Sequence, residues 1–226
     1  MTKKIKYYFQ NKLLNDTIVS AKSLIPQWYK DIKPANFKKD NKHKNVKNCV
    51  PFLDALSIGY MITLPIDVNV LPTEDYTSVL VDYGLKDEGY FDIKHREIPA
   101  IPFPEDVYEI EFIWRIAHSF KLPKGYSALL THPLNRNDLP FVSLSGVIDL
   151  DEGMPKGNFP FYIKKGFEGK IPMGTPIIQV IPFKRESWKL EEDNSMAELD
   201  AKYHFLTNRV NNGWYKNNIW KRKSFE

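Results

Sequence analysis

A mainly β protein is the fold class this sequence predicts, with one helix towards the end of the chain. Three observations carry that expectation. Ile62, Leu64, Ile66, Val68 and Val70 alternate with more polar residues, as do Ile110, Phe112, Trp114 and Ile116, the period of strands with one buried face. Sixteen prolines and an aromatic fraction of 14% favour short strands and turns over a helical bundle. A helical period occurs once: Met196, Leu199, Tyr203, Leu206 and Val210 stand three and four residues apart, one stripe of an amphipathic helix.

In chain order, Ile5 to Phe9 reads as a short strand, followed by a connector ending in Leu24-Ile25-Pro26-Gln27-Trp28-Tyr29. Trp28 and Tyr29 are expected to pack on the main body, with an interface anchor as the alternative. Residues 33–48 are polar, aperiodic and rich in lysine (Lys33, Lys38, Lys39, Lys42, Lys44, Lys47) and read as a loop. From Cys49 to Val81 the pattern is strand-like, and Pro65 makes this an edge strand or breaks the run. Asp87-Glu88-Gly89-Tyr90 reads as a turn, and Pro99, Pro102 and Pro104 mark a connection outside any central strand. In the C-terminal helix, Ser195 and Glu198 have capping-box spacing, and Asn211-Asn212-Gly213 is a helix stop. Its stripe is expected to dock on the chain's own sheet, the alternative being a seam between subunits. A tail with Trp214, Tyr215 and Trp220 among basic residues follows.

Composition removes several classes. The hydrophobic fraction of 42% and charged fraction of 27% belong to a folded chain, not a disordered one. The net charge is +4, and its lysine-rich stretches read as solvated surface, so nucleic acid is not the expected partner. Cys49 is the only cysteine, which excludes an intramolecular disulfide framework; its neighbours Val50 and Phe52 point to burial. The first ten residues lack the apolar core of a signal peptide, and no apolar run approaches the ~20 residues that span a bilayer. The expected location is the cytoplasm. Many Lys, Asn and Ile residues suit an AT-rich genome such as that of many phages, in which case the location is host cytoplasm or virion.

Several segments could carry chemistry. Gly146-Val147-Ile148-Asp149 delivers Asp149 and Asp151 close together, a pair that can hold a divalent cation or activate water, or serve as ordinary turn residues. Gln179 lies in the apolar run Ile177 to Ile181; if buried it needs hydrogen-bond partners, fixing a neighbouring backbone or touching a ligand. Arg136, in Thr131-His132-Pro133-Leu134-Asn135-Arg136, is a candidate phosphate fork or a surface loop arginine. Ser143 and Ser145 read as turn residues. His43, His95, His118, His132 and His204 show no metal-ligand spacing, and no metal site is expected.

Read in order, these segments resemble the dUTPase-like (β-clip) superfamily, which includes dCTP deaminases. Gly59-Tyr60-Met61-Ile62 resembles the first family motif, Gly-Tyr-Asp-Leu, and Leu122-Pro123-Lys124-Gly125-Tyr126 its Pro-x-Gly turn. His132 to Arg136 stands in place of the phosphate-binding Pro-Arg-Ser-Gly. Gly146-Val147-Ile148-Asp149-Leu150-Asp151 is similar to Gly-Val-Ile-Asp-x-Asp-Tyr, and Ile171 to Val180 to the segment leading into Ile-Ala-Gln-Leu. The similarity covers about residues 50–188, with an insertion around 82–110. It implies a β-clip or distorted β-barrel core at 49–190, an N-terminal extension at 1–48 with the lysine-rich loop, and a C-terminal helix and tail at 191–226.

The departures bear on activity. Met61 stands where the family has Asp, Leu134 and Asn135 stand near its phosphate-binding Ser, and Glu152 replaces Tyr. The glycine-rich C-terminal arm is missing, and Phe159-Pro160-Phe161-Tyr162 offers no deaminase glutamate. Asp149 alone matches a catalytic group, the water-activating carboxylate; Arg136, Gly146, Asp151 and Gln179 are the implied ligand-binding positions. The expectation is therefore a divergent or non-catalytic member acting by binding or assembly, as a phage structural or regulatory protein. The alternative is a nucleotide pyrophosphatase with Asp149 as general base and Mg²⁺; otherwise no cofactor is expected. The family often forms trimers, so a homotrimer is expected, with nucleotide as a further partner and no membrane.

Overall fold

The computed structural model describes residues 3–9, 17–34, 45–74, 78–83, 91–96, 101–116, 118–152, 157–206 and 214–225. Lys38, Lys39, Lys42 and Lys44, the turn at 87–90, Pro99, Val210 and the helix stop at 211–213 lie outside the described residues.

The chain is mainly β. Strands β1 (Lys6–Phe9) and β2 (Ile18–Ser20) precede helix α1 (Gln27–Asp31), and α2 (Val50–Ser57) leads into β3 (Tyr60–Thr63), β4 (Val68–Pro72), β5 (Val79–Asp82) and β6 (Phe91–Arg96). Then come β7 (Glu111–Ile116), β8 (His118–Lys121), β9 (Tyr126–Thr131), β10 (Phe141–Ser143) and β11 (Gly146–Asp149). The series ends with β12 (Gly157–Ile163), β13 (Gly169–Ile171), β14 (Pro176–Lys184), and helices α3 (Ala197–Phe205) and α4 (Trp214–Asn218). Among the described residues the strands form antiparallel sheets ordered β11-β9-β14-β3-β2, β10-β12-β7-β6, β13-β4-β5 and β1-β8. No helix among them is long and apolar enough to cross a membrane.

The sequence explains the layering. Pro176-Ile177-Ile178-Gln179-Val180 is buried at every position, as expected of an apolar run at the centre of a sheet, and β14 has β9 on one side and β3 on the other. The alternating residues of β7 put Phe112 and Trp114 into the core. There the Trp114 ring stacks on Phe161 with centroids 3.5 Å apart, and Phe141 meets Trp114 edge-on. Ile62, Leu64, Val68 and Val70 join the same cluster.

Five expectations change. The stretch from Cys49 is not strand-like throughout: residues 50–57 form α2, with Pro at its first turn, where a missing N–H costs nothing. Cys49 precedes that helix and is exposed, not buried. Ser143 closes a strand rather than a turn, and its hydroxyl donates to Ile177 O at 2.7 Å in the interior. Over its described residues the C-terminal helix does not dock on the sheet. Met196, Leu199 and Tyr203 are 55%, 44% and 38% exposed, and the charged run from Glu186 to Asp193 that leads into the helix is exposed throughout. Asp193, rather than a Ser195–Glu198 box, caps its first turn by accepting from Ser195 N–H at 2.9 Å.

The run containing Pro65 is broken there, with β3 ending at Thr63 and β4 starting at Val68. Tyr29 is buried and its ring stacks on Phe52 of α2 at 5.9 Å, while Trp28 stays partly exposed beside it.

Candidate functional site

Asp149 ends β11, which pairs with β9 so that Asp149 faces Ser127. The Ser127 hydroxyl donates to Asp149 Oδ1 at 2.5 Å. On the other side of β9, β14 ends with Lys184 opposite Tyr126, and the next residue is Arg185. Its backbone N–H donates to Gly125 O at 2.9 Å. Its guanidinium then closes on Asp151 with both terminal nitrogens: Nη1 donates to Oδ1 at 2.9 Å, and Nη2 donates to Oδ2. Nη1 also lies 3.2 Å from Asp149 Oδ1. Gly125, at φ 81°, takes a backbone conformation open to glycine, and from it its N–H reaches Asp151 Oδ2 at 2.7 Å.

These contacts set the charge states. Hydrogen bonds from Arg185, then from the Gly125 N–H, hold the Asp151 carboxyl well below the usual carboxylate range. The same pairing pushes Arg185 further up. The Asp151 side chain is 1% exposed and that of Asp149 is 68% exposed. Asp151 is therefore a structural anion with its lone pairs committed, while Asp149 keeps an open face to solvent.

Mg²⁺ does not fit this donor set. A divalent cation brought between the two carboxylates meets the Arg185 charge at contact distance. Met61, at the position where a metal-organising carboxylate is implied, is buried in β3 and its thioether is a poor partner for a hard cation. Among the described residues no three His, Cys, Asp or Glu side chains are grouped to hold a metal.

The other sequence candidates gather elsewhere. Gln179 is fully buried; its Oε1 accepts from Leu134 N–H at 2.8 Å, and its Nε2 donates to Ala55 O at 3.0 Å and Ile58 O at 2.7 Å. It ties the 132–136 loop to the end of α2. Arg136 is buried, with Nε on Asp138 Oδ1 and Nη2 on Asp138 Oδ2, both at 2.9 Å, and Nη1 on Leu24 O at 3.4 Å. Burial opposes the Asp138 charge, but these Arg136 bonds hold its carboxyl low. Elsewhere in the loop, His132 Nδ1 accepts from Ser143 N–H at 3.2 Å, and Asn135 takes a left-handed φ of 59°.

Gly146 is exposed at the start of β11, opposite Leu130. It belongs with Gln179, which faces Thr131, at one end of β9. Asp149, Asp151 and Arg185 lie at the other end. The span of β9 is about 17 Å at ~3.4 Å per residue, so the candidates form two clusters rather than one cleft. Sequence reasoning missed Arg185, Ser127 and Gly125 as members of the acidic cluster. The available signal was an acid pair with no metal motif, which calls for a cation from within the chain.

No protein-family model matches the sequence, and the comparison with curated proteins finds no match. Solved structures similar to the chain include a mutant dUTPase from phage phi11 of S. aureus, at 11% identity and TM-score 0.37, covering 84% of this chain and 97% of that one. They also include the Staphylococcus bacteriophage 80alpha dUTPase with dUpNHpp, at 12% identity and TM-score 0.39, covering 85% and 89%. A mutant of that 80alpha enzyme is 14% identical, with TM-score 0.37 over 85% and 97%.

Proposed function

We propose that this chain acts by binding or assembly rather than by turnover. The observation that supports this is the commitment of Arg185 to both Asp149 and Asp151. A general base needs a carboxylate poised to take a proton from water, with charge-stabilising groups around the reacting phosphate. Here the guanidinium that could stabilise such charge neutralises the chain's own acids, and the Arg136 fork is spent on Asp138. We read the chain as a structural or regulatory protein of phage origin, a reading supported by its Lys-, Asn- and Ile-rich composition, and as a homotrimer, which light scattering tests. Incubation with each deoxynucleoside triphosphate and Mg²⁺ tests the first claim: the expected result is no pyrophosphate or ammonia above background.

The exposed face of Asp149 favours one second reading, a nucleotide-processing enzyme with Asp149 as general base. Turnover abolished by Asp149→Asn would establish that reading in place of the first.

A further inference from the structure

The C-terminal tail leaves the body and then returns to it. Every residue from 186 to 205 is exposed, yet Trp220, Lys223 and Phe225 make directed contacts with separate parts of the body. The Trp220 indole N–H donates to Asp54 Oδ2 at 2.8 Å, and the Lys223 ammonium pairs with the same oxygen. The Ser20 hydroxyl donates to Phe225 O at 2.6 Å, and the Phe225 ring meets Tyr60 edge-on, with centroids 6.0 Å apart. Asp54 belongs to α2, while Ser20 and Tyr60 are direct partners across β2 and β3. Ser20 and Tyr60 also line, with Ile5, Ile18 and Phe120, an apolar hollow of about 230 Å³, so the end of the tail borders a pocket.

We propose that Asp54, Ser20 and Tyr60 form a receptor for an aromatic–basic peptide segment, and that the chain's own tail is its resident, detachable ligand. The recognition has three separable parts. A carboxylate accepts from an indole N–H and, three residues on, from an ammonium group. A hydroxyl then takes a backbone carbonyl, and a tyrosine ring takes an aromatic edge. The pattern is met by Trp220-Lys221-Arg222-Lys223-Ser224-Phe225.

The contacts are of a kind that opens reversibly. The Asp54–Lys223 pair keeps partial exposure on both sides, 19% and 41%, and such pairs are weak and salt-sensitive. Docking in the same chain persists because about 35 residues of tether set an effective concentration on the order of millimolar. A free segment of the same chemistry must outcompete that concentration, which makes the tail a threshold on access to the receptor.

The test uses the full-length chain carrying Trp220→Ala and Lys223→Ala, titrated into a fluorescein-labelled peptide with the sequence of residues 214–226 and followed by anisotropy. The expected result is binding at least tenfold tighter to this opened variant than to the wild type, and at least tenfold loss when Asp54→Ala is added. Equal binding to variant and wild type, or none to the opened variant, overturns the proposal. Should circular dichroism find the double variant unfolded, Lys223→Glu alone opens the tail by charge reversal at a partly exposed position, and the same two outcomes decide. A wild-type dimer seen by light scattering and abolished by Asp54→Ala also overturns it, since the tail would then dock on a second copy.

Discussion

Arg185 and Asp151 form a two-pronged ion pair in which each terminal guanidinium nitrogen serves one carboxylate oxygen. The pair joins the end of β14 to the turn after β11, and the Gly125 N–H completes it. Its carboxylate is nearly inaccessible while the arginine keeps solvent contact. Removing the arginine therefore strands an anion in the protein, which costs more than the pair's net worth. Arg185→Met should lower the urea and thermal midpoints clearly, and Arg185→Lys should recover only part, because an ammonium cannot span both oxygens. Asp149→Asn, at an exposed carboxylate, should leave the midpoints close to wild type.

Acid should weaken the fold in two steps of known sign. His118 is buried against Thr17, with Thr17 Oγ1 2.6 Å from His118 Nε2, and burial pulls its pKa down to about 3. The unfolded imidazole takes up a proton near pH 6.5 and the folded one does not, so the stability is fully present above ~6.5 and is lost as pH falls towards 3. The slope for one proton is about 1.4 kcal/mol per pH unit, and His132, also lowered by burial, adds in the same direction. Below about pH 4 the depressed Asp151 carboxyl adds its own loss. Urea melts between pH 6.5 and 4.5 should flatten in His118→Gln; an unchanged slope contradicts the assignment.

Gln179→Leu should be among the most damaging single substitutions. It keeps the side-chain volume but leaves Leu134 N–H, Ala55 O and Ile58 O without the amide that serves all three. At about 1–3 kcal/mol for each buried group left unsatisfied, a loss of roughly 3 kcal/mol is expected, read as a lower urea midpoint. A change within 0.5 kcal/mol, the range of an ordinary surface substitution, contradicts the bridging role.

Gly59→Ala tests the junction between α2 and β3. Gly59 has φ +75°, and a Cβ there would sit 2.1 Å from Val180 O. Backbone on both sides leaves no soft neighbour to yield. A loss of roughly 2 kcal/mol or more is expected, with Gly125→Ala milder, because its Cβ would meet nothing within 4 Å.

What could be read from the sequence was largely local. The alternation at 110–116 and the apolar run at 176–180 became β7 and β14, because a two-residue period already specifies which face is buried. Helix α2 was not legible: Phe52, Leu53 and Leu56 around Pro51 suit a short helix or a strand, and the deciding contact, Tyr29 on Phe52, comes from another element. The acidic turn was visible at Asp149 and Asp151, but its counter-ion was not, since Arg185 reaches them only because β11 and β14 flank the same strand. Nor could spacing foretell that Trp220 would find Asp54, 166 residues earlier. The exposed stripe of α3 marks the limit of periodicity, which specifies an apolar face and not what covers it.

Pyrophosphate release is the most direct measurement of the central claim. Purified chain and its Asp149→Asn variant are incubated with each deoxynucleoside triphosphate and Mg²⁺, and release is followed over time. The account predicts background rates for both proteins. Release by the wild type that disappears in Asp149→Asn would contradict it, because Asp149 would then be working as a base despite its contact with Arg185.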